Sequence, residues 1–302
     1  ISYAEFGVAG ARGLKVHALP FDAREMAIDA DAMAREAAKV RPRMIVLGGS
    51  VMLFPHPAKE AKETAEAVGG YVCYDASHVL GLIAGGCFQD PIGEGCDVVT
   101  SSTHKTFPGP QGGLIMCRSP LAKAIDRAAF PGLVSNHHLH RIAALAVALA
   151  EFKEFGRAYA SQVVRNAKAL AEALWERGFD VLCEHKGFTE SHQVLVDVSK
   201  LGGGREASCK LELANIICNE NLLPWDRLDK AGAPSGIRLG TAELTRLGMR
   251  ESEMAEVADF MKRVLLDGED PGRVAADVEA FMRQFDRVRY SFCEGPAYGY
   301  PR

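Results

Sequence analysis

Through the first half of the chain, short apolar runs alternate with amphipathic stretches. Leu14–Leu19, Met44–Leu47, Tyr71–Tyr74, Asp97–Ser101 and Leu114–Cys117 read as strands, each a compact apolar run bounded by polar or glycine-containing segments. Asp31–Lys39 and Ala58–Val68 have helical spacing, with Pro57 placed for a helix start and Gly69-Gly70 for its end. Strands that are apolar almost throughout suit a sheet covered on both faces. The pattern predicts an α/β fold with a mostly parallel sheet. Beyond it, His137–Phe155 and Tyr159–Arg177 read as two helices bridging to a second region. That region alternates again: a strand at Gln193–Val198, a helix at Ala207–Asn219, a strand at Gly236–Gly240, and helices at Glu251–Leu266 and Pro271–Arg287. The expected division is a large domain over 1–156 and a smaller α+β C-terminal domain over 157–302. The chain opens at Ile1, and Leu14–Leu19 already reads as a strand in mid-fold, so an N-terminal portion of the fold is expected outside this sequence.

Composition narrows the class without naming it. A chain of 302 residues with 48% hydrophobic and 25% charged residues can bury a sizeable core. A net charge of −4 without a Lys/Arg cluster argues against a nucleic-acid partner. No apolar run is long enough to span a bilayer, and no secretory signal opens the chain. The eight cysteines form no C-x-x-C pair, which argues against structural zinc or any other metal site and for reduced thiols in a cytoplasmic protein.

Three polar clusters close predicted strands, where ligands of open α/β sheets bind. In Tyr74-Asp75-Ala76-Ser77-His78, Asp75 reads either as a helix cap or as the fixed anion that keeps a pyridinium nitrogen protonated. His78 is near enough in sequence to stack on or bond the same ring, although a lone His is more often structural. In Ser101-Ser102-Thr103-His104-Lys105-Thr106, Lys105 ends an apolar strand before the Gly/Pro-rich run 107–113 and is predicted to be enclosed. Burial and nearby positive charge would free its amine for Schiff-base chemistry. The hydroxyls and the N–H groups of Gly112 and Gly113 suit a phosphate. In Ser235-Gly236-Ile237-Arg238-Leu239-Gly240-Thr241, Arg238 reads as a bidentate carboxylate clamp or a surface ion pair. Each cluster alone is ambiguous, but together they outline one cofactor site.

These residues resemble serine hydroxymethyltransferases. The resemblance rests on Asp75-x-x-His78-x-x-Gly81-Leu82-Ile83-Ala84, on Thr103-His104-Lys105-Thr106 with Gly109-Pro110-x-Gly112-Gly113, and on Ser235-Gly236-Ile237-Arg238-x-Gly240-Thr241. It implies a fold-type I pyridoxal 5'-phosphate enzyme that interconverts serine and glycine. Tetrahydrofolate or a related pterin would be the cosubstrate, and the enzyme a homodimer with shared sites. It further implies that Lys105 forms the internal aldimine, Asp75 holds the pyridine nitrogen, and His78 lies near the ring and its 3′ oxygen. His104 and Ser102 would border the cofactor and its phosphate, with Ser50 near the phenolic oxygen. Arg238 would take the substrate carboxylate and Asn221 would contact the pterin. Pro108 and Gln111 stand where many members carry Arg, which looks more like archaeal-type or divergent members. The family's N-terminal segment, with its Tyr, Glu and Ser-Gly phosphate loop, has no counterpart in these residues. Two alternatives remain: a pterin-independent aldolase or transaldolase for β-hydroxy-α-amino acids, including the α-methylserine type, and a catalytically silent dimer partner of the same fold.

Overall fold

The computed structural model of the chain describes residues 7–227 and 232–297. Ile1, on which the expectation of a preceding segment partly rests, lies outside them. After a single helical turn α1 (Val8–Ala11) and a two-residue hairpin of β1 (Phe21–Asp22) with β2 (Ala27–Ile28), the first layer is laid down. Its elements are α2 (Ala30–Val40), β3 (Met44–Gly48), α3 (Ala58–Val68), β4 (Tyr71–Asp75), α4 (Leu80–Ala84), β5 (Val98–His104) and β6 (Pro108–Cys117). Asp29 starts α2 by accepting the Ala32 N–H at 2.9 Å, and Gly69 closes α3 at φ 75°. The strands lie in the order β3-β4-β5-β6, with β3, β4 and β5 parallel and β6 antiparallel to β5. Ile45, Leu47, Val72, Tyr74 and Val99 point into one core with the buried face of α3.

The chain then runs through α5 (Ser119–Arg127) into α6 (Leu139–Glu176), and on to a second sheet. That sheet has β7 (Asp180–Val181), β8 (Gln193–Asp197), β9 (Asn219–Asn221) and β10 (Gly236–Gly240), ordered β7-β8-β10-β9 and antiparallel throughout. Helices α7 (Gly204–Leu213), α8 (Ala242–Arg246), α9 (Glu251–Leu265) and α10 (Pro271–Met282) accompany it. Val194, Val196, Ile237 and Leu239 pack with α7, α9 and α10 in a second core. A small third cluster of Met26, Leu53, Phe54, Cys183, Leu195 and Leu223 joins the two.

Several expectations are corrected. Leu14–Leu19 forms no strand; Leu14 and Val16 are exposed, and an apolar run without a neighbouring strand has nothing to satisfy its backbone. The expected pair of bridging helices is one helix of 38 residues, α6. Gly156 does not break it, because a glycine inside a helix costs only about 1 kcal/mol relative to Ala. The expected boundary at 156/157 therefore falls within continuous helix, whose earlier residues Ala148 and Phe152 enter the first core and whose later ones, Leu170 and Leu174, enter the second. The Gly/Pro-rich run after Lys105 joins the expected strand Leu114–Cys117 in one longer strand, pairing as β6 with a register shift near Ser102/His104. Helix α7 stops at Leu213, and Asn215 follows at φ 60°, releasing the chain into β9. Helix α10 ends at Met282.

Along α6 and β6, Leu139, Ile142, Val147, Leu149 and Ile115 are more than half exposed. All eight cysteines are unpaired. Among the described residues no helix is long and apolar enough to cross a membrane, and no His/Cys/Asp/Glu group could hold a metal ion.

Helix α4 crosses α6 closely. A Cβ on Gly85 would lie 2.4 Å from Ala160 Cβ and 2.8 Å from the Gly156 carbonyl oxygen. Gly85→Ala is therefore expected to destabilise the fold by about 1–3 kcal/mol through overpacking, read as a lower denaturant midpoint.

Candidate functional site

Because β3, β4 and β5 are parallel, their carboxyl ends open on one edge of the sheet, and the first two predicted clusters meet there. Gly48, at the end of β3, is at φ 97°, and a Cβ there would strike the Asp75 carbonyl oxygen at 2.2 Å. Only glycine lets the end of β3 lie against the end of β4. The next residues, Gly49-Ser50, turn over the edge. Asp75 ends β4, and its Oδ1 accepts the Ser77 N–H at 3.0 Å. Asp75 thus makes the turn contact of the cap reading while its carboxylate stays at the sheet edge, as the functional reading requires.

His78 is fixed from two sides. Thr106 Oγ1 donates to the His78 carbonyl at 3.0 Å and accepts the Gly81 N–H at 3.1 Å, tying the segment after Lys105 to the start of α4. The His78 ring stacks on His192, with centroids 5.8 Å apart and planes 5° from parallel. Burial, then the Arg238 and Lys105 charges, push His78 down to about 4, while Asp75 opposes them. His192 is lowered further, to about 3, again chiefly by burial. Among the described residues neither of its ring nitrogens reaches a hydrogen-bond partner, although the nearby backbone of His78 weakly favours its charged form.

Lys105 is exposed rather than enclosed, because the chain leaves β5 at His104 and turns outward before re-entering as β6. Its Nζ donates to a hydroxyl, Ser102 Oγ, at 3.2 Å. Ser102 is held against Ser77: its N–H donates to Ser77 Oγ at 3.1 Å and its own Oγ to the Ser77 carbonyl at 3.2 Å. The Gly112 N–H points at His104 Nδ1, 3.4 Å away, and Gly113 pairs with Ser102 across the β5–β6 ladder. Of the two glycine N–H groups expected to hold a phosphate, that of Gly112 thus faces His104.

Arg238 reaches the site from β10 in the second sheet. One guanidinium nitrogen donates to the Ser50 carbonyl at 2.6 Å and the other to Asn219 Oδ1 at 3.0 Å. Both contacts are neutral, so the cation is oriented without an internal counter-ion in these bonds. Burial lowers its pKa without removing its charge. Asn221 sits two residues along β9, opposite Gly236, and its amide donates to the Leu222 carbonyl at 2.6 Å.

Two contributors escape a reading of spacing. Asn219, opposite Arg238 in the ladder, is visible only once the β9–β10 register is known. Gln193 is wholly buried at the start of β8. It accepts the Met52 N–H at 2.8 Å, donates to the Ser50 carbonyl at 3.0 Å, and lies 3.1 Å from His78 Nδ1.

The donor set is a primary amine bonded to a hydroxyl, a carboxylate one strand away, and a buried imidazole that feels both of them and the guanidinium of the second sheet. It fits pyridoxal phosphate, which needs an amine for its aldehyde and a fixed anion for its ring nitrogen. Fold and site together define a fold-type I pyridoxal-phosphate enzyme. A solved structure of an L-threonine transaldolase from Pseudomonas fluorescens, in its internal aldimine state, superposes with a TM-score of 0.86 at 33% identity, covering 94% of this chain and 65% of that one. The family model for serine hydroxymethyltransferase matches residues 11–261. The serine hydroxymethyltransferase of Methanopyrus kandleri is 61% identical over all of this chain and 71% of its own length. That of Methanothermobacter marburgensis is 58% identical over 99% of this chain and 70% of its own. The chain belongs to the serine hydroxymethyltransferase family, as the motifs around Asp75, Lys105 and Arg238 imply.

The two stacked histidines make stability depend on pH. In the unfolded chain each binds a proton near 6.5, but when folded only near 4 for His78 and 3 for His192. Their lowered values leave stability intact above about pH 6.5, and it is lost as pH falls toward the folded values. His192→Phe removes one share of that loss, about 2 kcal/mol at about pH 5. The denaturant midpoint of this variant is expected to drop less than that of wild type between about pH 7.5 and pH 5.

Proposed function

We propose that this cleft binds pyridoxal phosphate through Lys105 and transfers the hydroxymethyl group of serine to a reduced pterin, tetrahydrofolate or a relative, leaving glycine. The observation that carries the reading is the convergence of Asp75, His78, Lys105 and Arg238 on one sheet edge, from two different sheets. When bound, pyridoxal phosphate supplies the electron sink for the charge left on Cα as the Cα–Cβ bond breaks.

The chain's own residues do the rest. Asp75 places a fixed anion where the ring nitrogen needs one. Lys105 offers its amine from a loop held by Ser102 and Ser77. Arg238, aimed by Ser50 and Asn219, binds the α-carboxylate bidentately, exchanging two neutral acceptors for a charged one. His78 presents a neutral ring, so the cleft gains no further cation beside Arg238 and Lys105. His104 and Ser102 flank the amine, and Asn221 is assigned to the pterin side by resemblance. A two-domain division within α6 is part of the same reading and is supported by the two cores, with the cofactor residues beside the first and the carboxylate clamp beside the second.

A homodimer with shared sites is part of the same reading. The exposed apolar residues of α6 and β6 support it, since monomers rarely leave such a surface open. Eight unpaired cysteines support a reducing, cytoplasmic setting. The transaldolase alternative draws on the structural neighbour, whose 33% identity is well below that of the hydroxymethyltransferases.

Borohydride reduction of the cofactor-loaded protein, followed by peptide mass spectrometry, is expected to find the cofactor mass on the Lys105 peptide and none in Lys105→Ala. Loss of its two charge-assisted bonds in Arg238→Ala should lower kcat/KM for serine by about 100-fold, or roughly 3 kcal/mol. Serine cleavage should require tetrahydrofolate; faster pterin-independent cleavage of threonine would favour the aldolase reading.

A further inference from the structure

We propose that Gln193 is a positioning residue that locks His78 as the neutral tautomer carrying its proton on Nε2, and with the same side chain sets the Ser50 carbonyl that receives Arg238. The proposal deepens the cofactor-site reading and rests on it for its catalytic meaning. The geometry itself does not depend on that reading.

The Gln193 amide can lie only one way round. An amide's oxygen and nitrogen are interchangeable in shape, so their partners must decide. The Met52 backbone N–H can only donate, and it meets Oε1 at 2.8 Å. The Ser50 carbonyl can only accept, and it meets Nε2 at 3.0 Å. Both demands select one orientation, and flipping the amide would break both bonds. The second amide hydrogen is then left facing His78 Nδ1 at 3.1 Å. That nitrogen must accept. A proton on Nδ1, in the other tautomer or in the imidazolium, would set two donors head to head in a buried position.

The surroundings agree from every packed element. From the turn just before β8, His192 covers one face of the His78 ring with a neutral ring of its own. Arg238 on β10 and Lys105 after β5 oppose a cation, and Asp75 at the end of β4 favours one without prevailing. His78 is therefore a fixed N–H donor at Nε2 and not a proton shuttle. Gln193 belongs to the second sheet, whereas Ser50 and Met52 follow β3 and His78 follows β4, in the connections that leave the first. One buried amide thus couples the imidazole beside the cofactor site to the backbone acceptor of the carboxylate clamp.

The test is a long-range proton–nitrogen correlation of the histidine rings in the nitrogen-labelled holoenzyme, with His78→Gln used to assign the signals. The expected wild-type pattern is an acceptor-type Nδ1 and a protonated Nε2 for His78, unchanged between about pH 5 and 8. Gln193→Glu replaces the donor by an acceptor and keeps the size of the side chain. His78 should then carry a proton on Nδ1 and titrate above its ordinary value of 6.5. Gln193→Leu should release the ring into a mixture of tautomers and raise KM for serine about tenfold with a smaller change in kcat. A protonated Nδ1 in wild type, or a Gln193→Glu variant whose His78 keeps the wild-type pattern, overturns the proposal. The cofactor's visible absorbance, recorded on the same samples, separates the two failures: a missing band defeats the cofactor reading and leaves the tautomer result standing.

Discussion

The segment Ser50–Phe54 governs how the two halves of the molecule meet. It leaves the carboxyl end of β3, carries no regular structure, and is gripped from the second sheet. The Met52 N–H is taken by Gln193, and the Leu53 carbonyl accepts the Glu190 N–H at 2.8 Å. Leu53 and Phe54 fill the small cluster between the two main cores. Without that grip the Ser50 carbonyl has no fixed place, Arg238 loses one of its two acceptors, and the second sheet has no defined register against the site. A few buried polar bonds therefore set the relative position of groups drawn from both sheets. Buried hydrogen bonds suit this task because they are directional, whereas apolar contact alone tolerates sliding.

The electrostatics follow from that arrangement. Two cations and one carboxylate face the edge, and the imidazoles among them are kept uncharged by burial. A protonated His78 would compete for the same anions as Arg238 and Lys105. Keeping it neutral costs acid stability, but leaves the guanidinium and the amine as the two positive groups of the set. Arg238 and Lys105 both rest on neutral oxygens, Ser50 and Asn219 for one and Ser102 for the other. Such bonds orient a cation without neutralising it, which keeps it available to a charged ligand.

Much of this was legible in the residues. The parallel strands, the chemistry at their ends and the family followed from Asp75, Lys105 and Arg238, because each stands beside a local signal of apolar run, hydroxyls or glycine. What stayed hidden depended on register or on space. Gln193 reads as an ordinary polar residue opening a strand, and only the fold brings it to Met52 and His78. Asn219 lies two positions from Asn221, and the β9–β10 ladder decides which of them meets Arg238. The exposure of Lys105 is hidden because an apolar strand with a glycine-rich sequel looks the same whether the turn between them faces inward or outward. Leu14–Leu19 misled for the reverse reason: strand character without a neighbour does not make a strand. The expected break between Phe155 and Tyr159 is absent, because nothing local requires a helix end where both sides continue in helical spacing.

The unbroken α6 has a mechanical consequence. Thirty-eight residues of helix form a rod about 57 Å long, and its side chains belong to one core near its start and to the other toward its end. A hinge between the halves cannot lie on this rod without breaking helical hydrogen bonds. Any opening of the cleft must then be a small rotation about the rod, taken up in the irregular connections around Ser50–Phe54 and Thr189–His192. Those connections carry the bonds that orient Arg238 and His78, so breathing of the molecule and alignment of its chemical groups are the same motion.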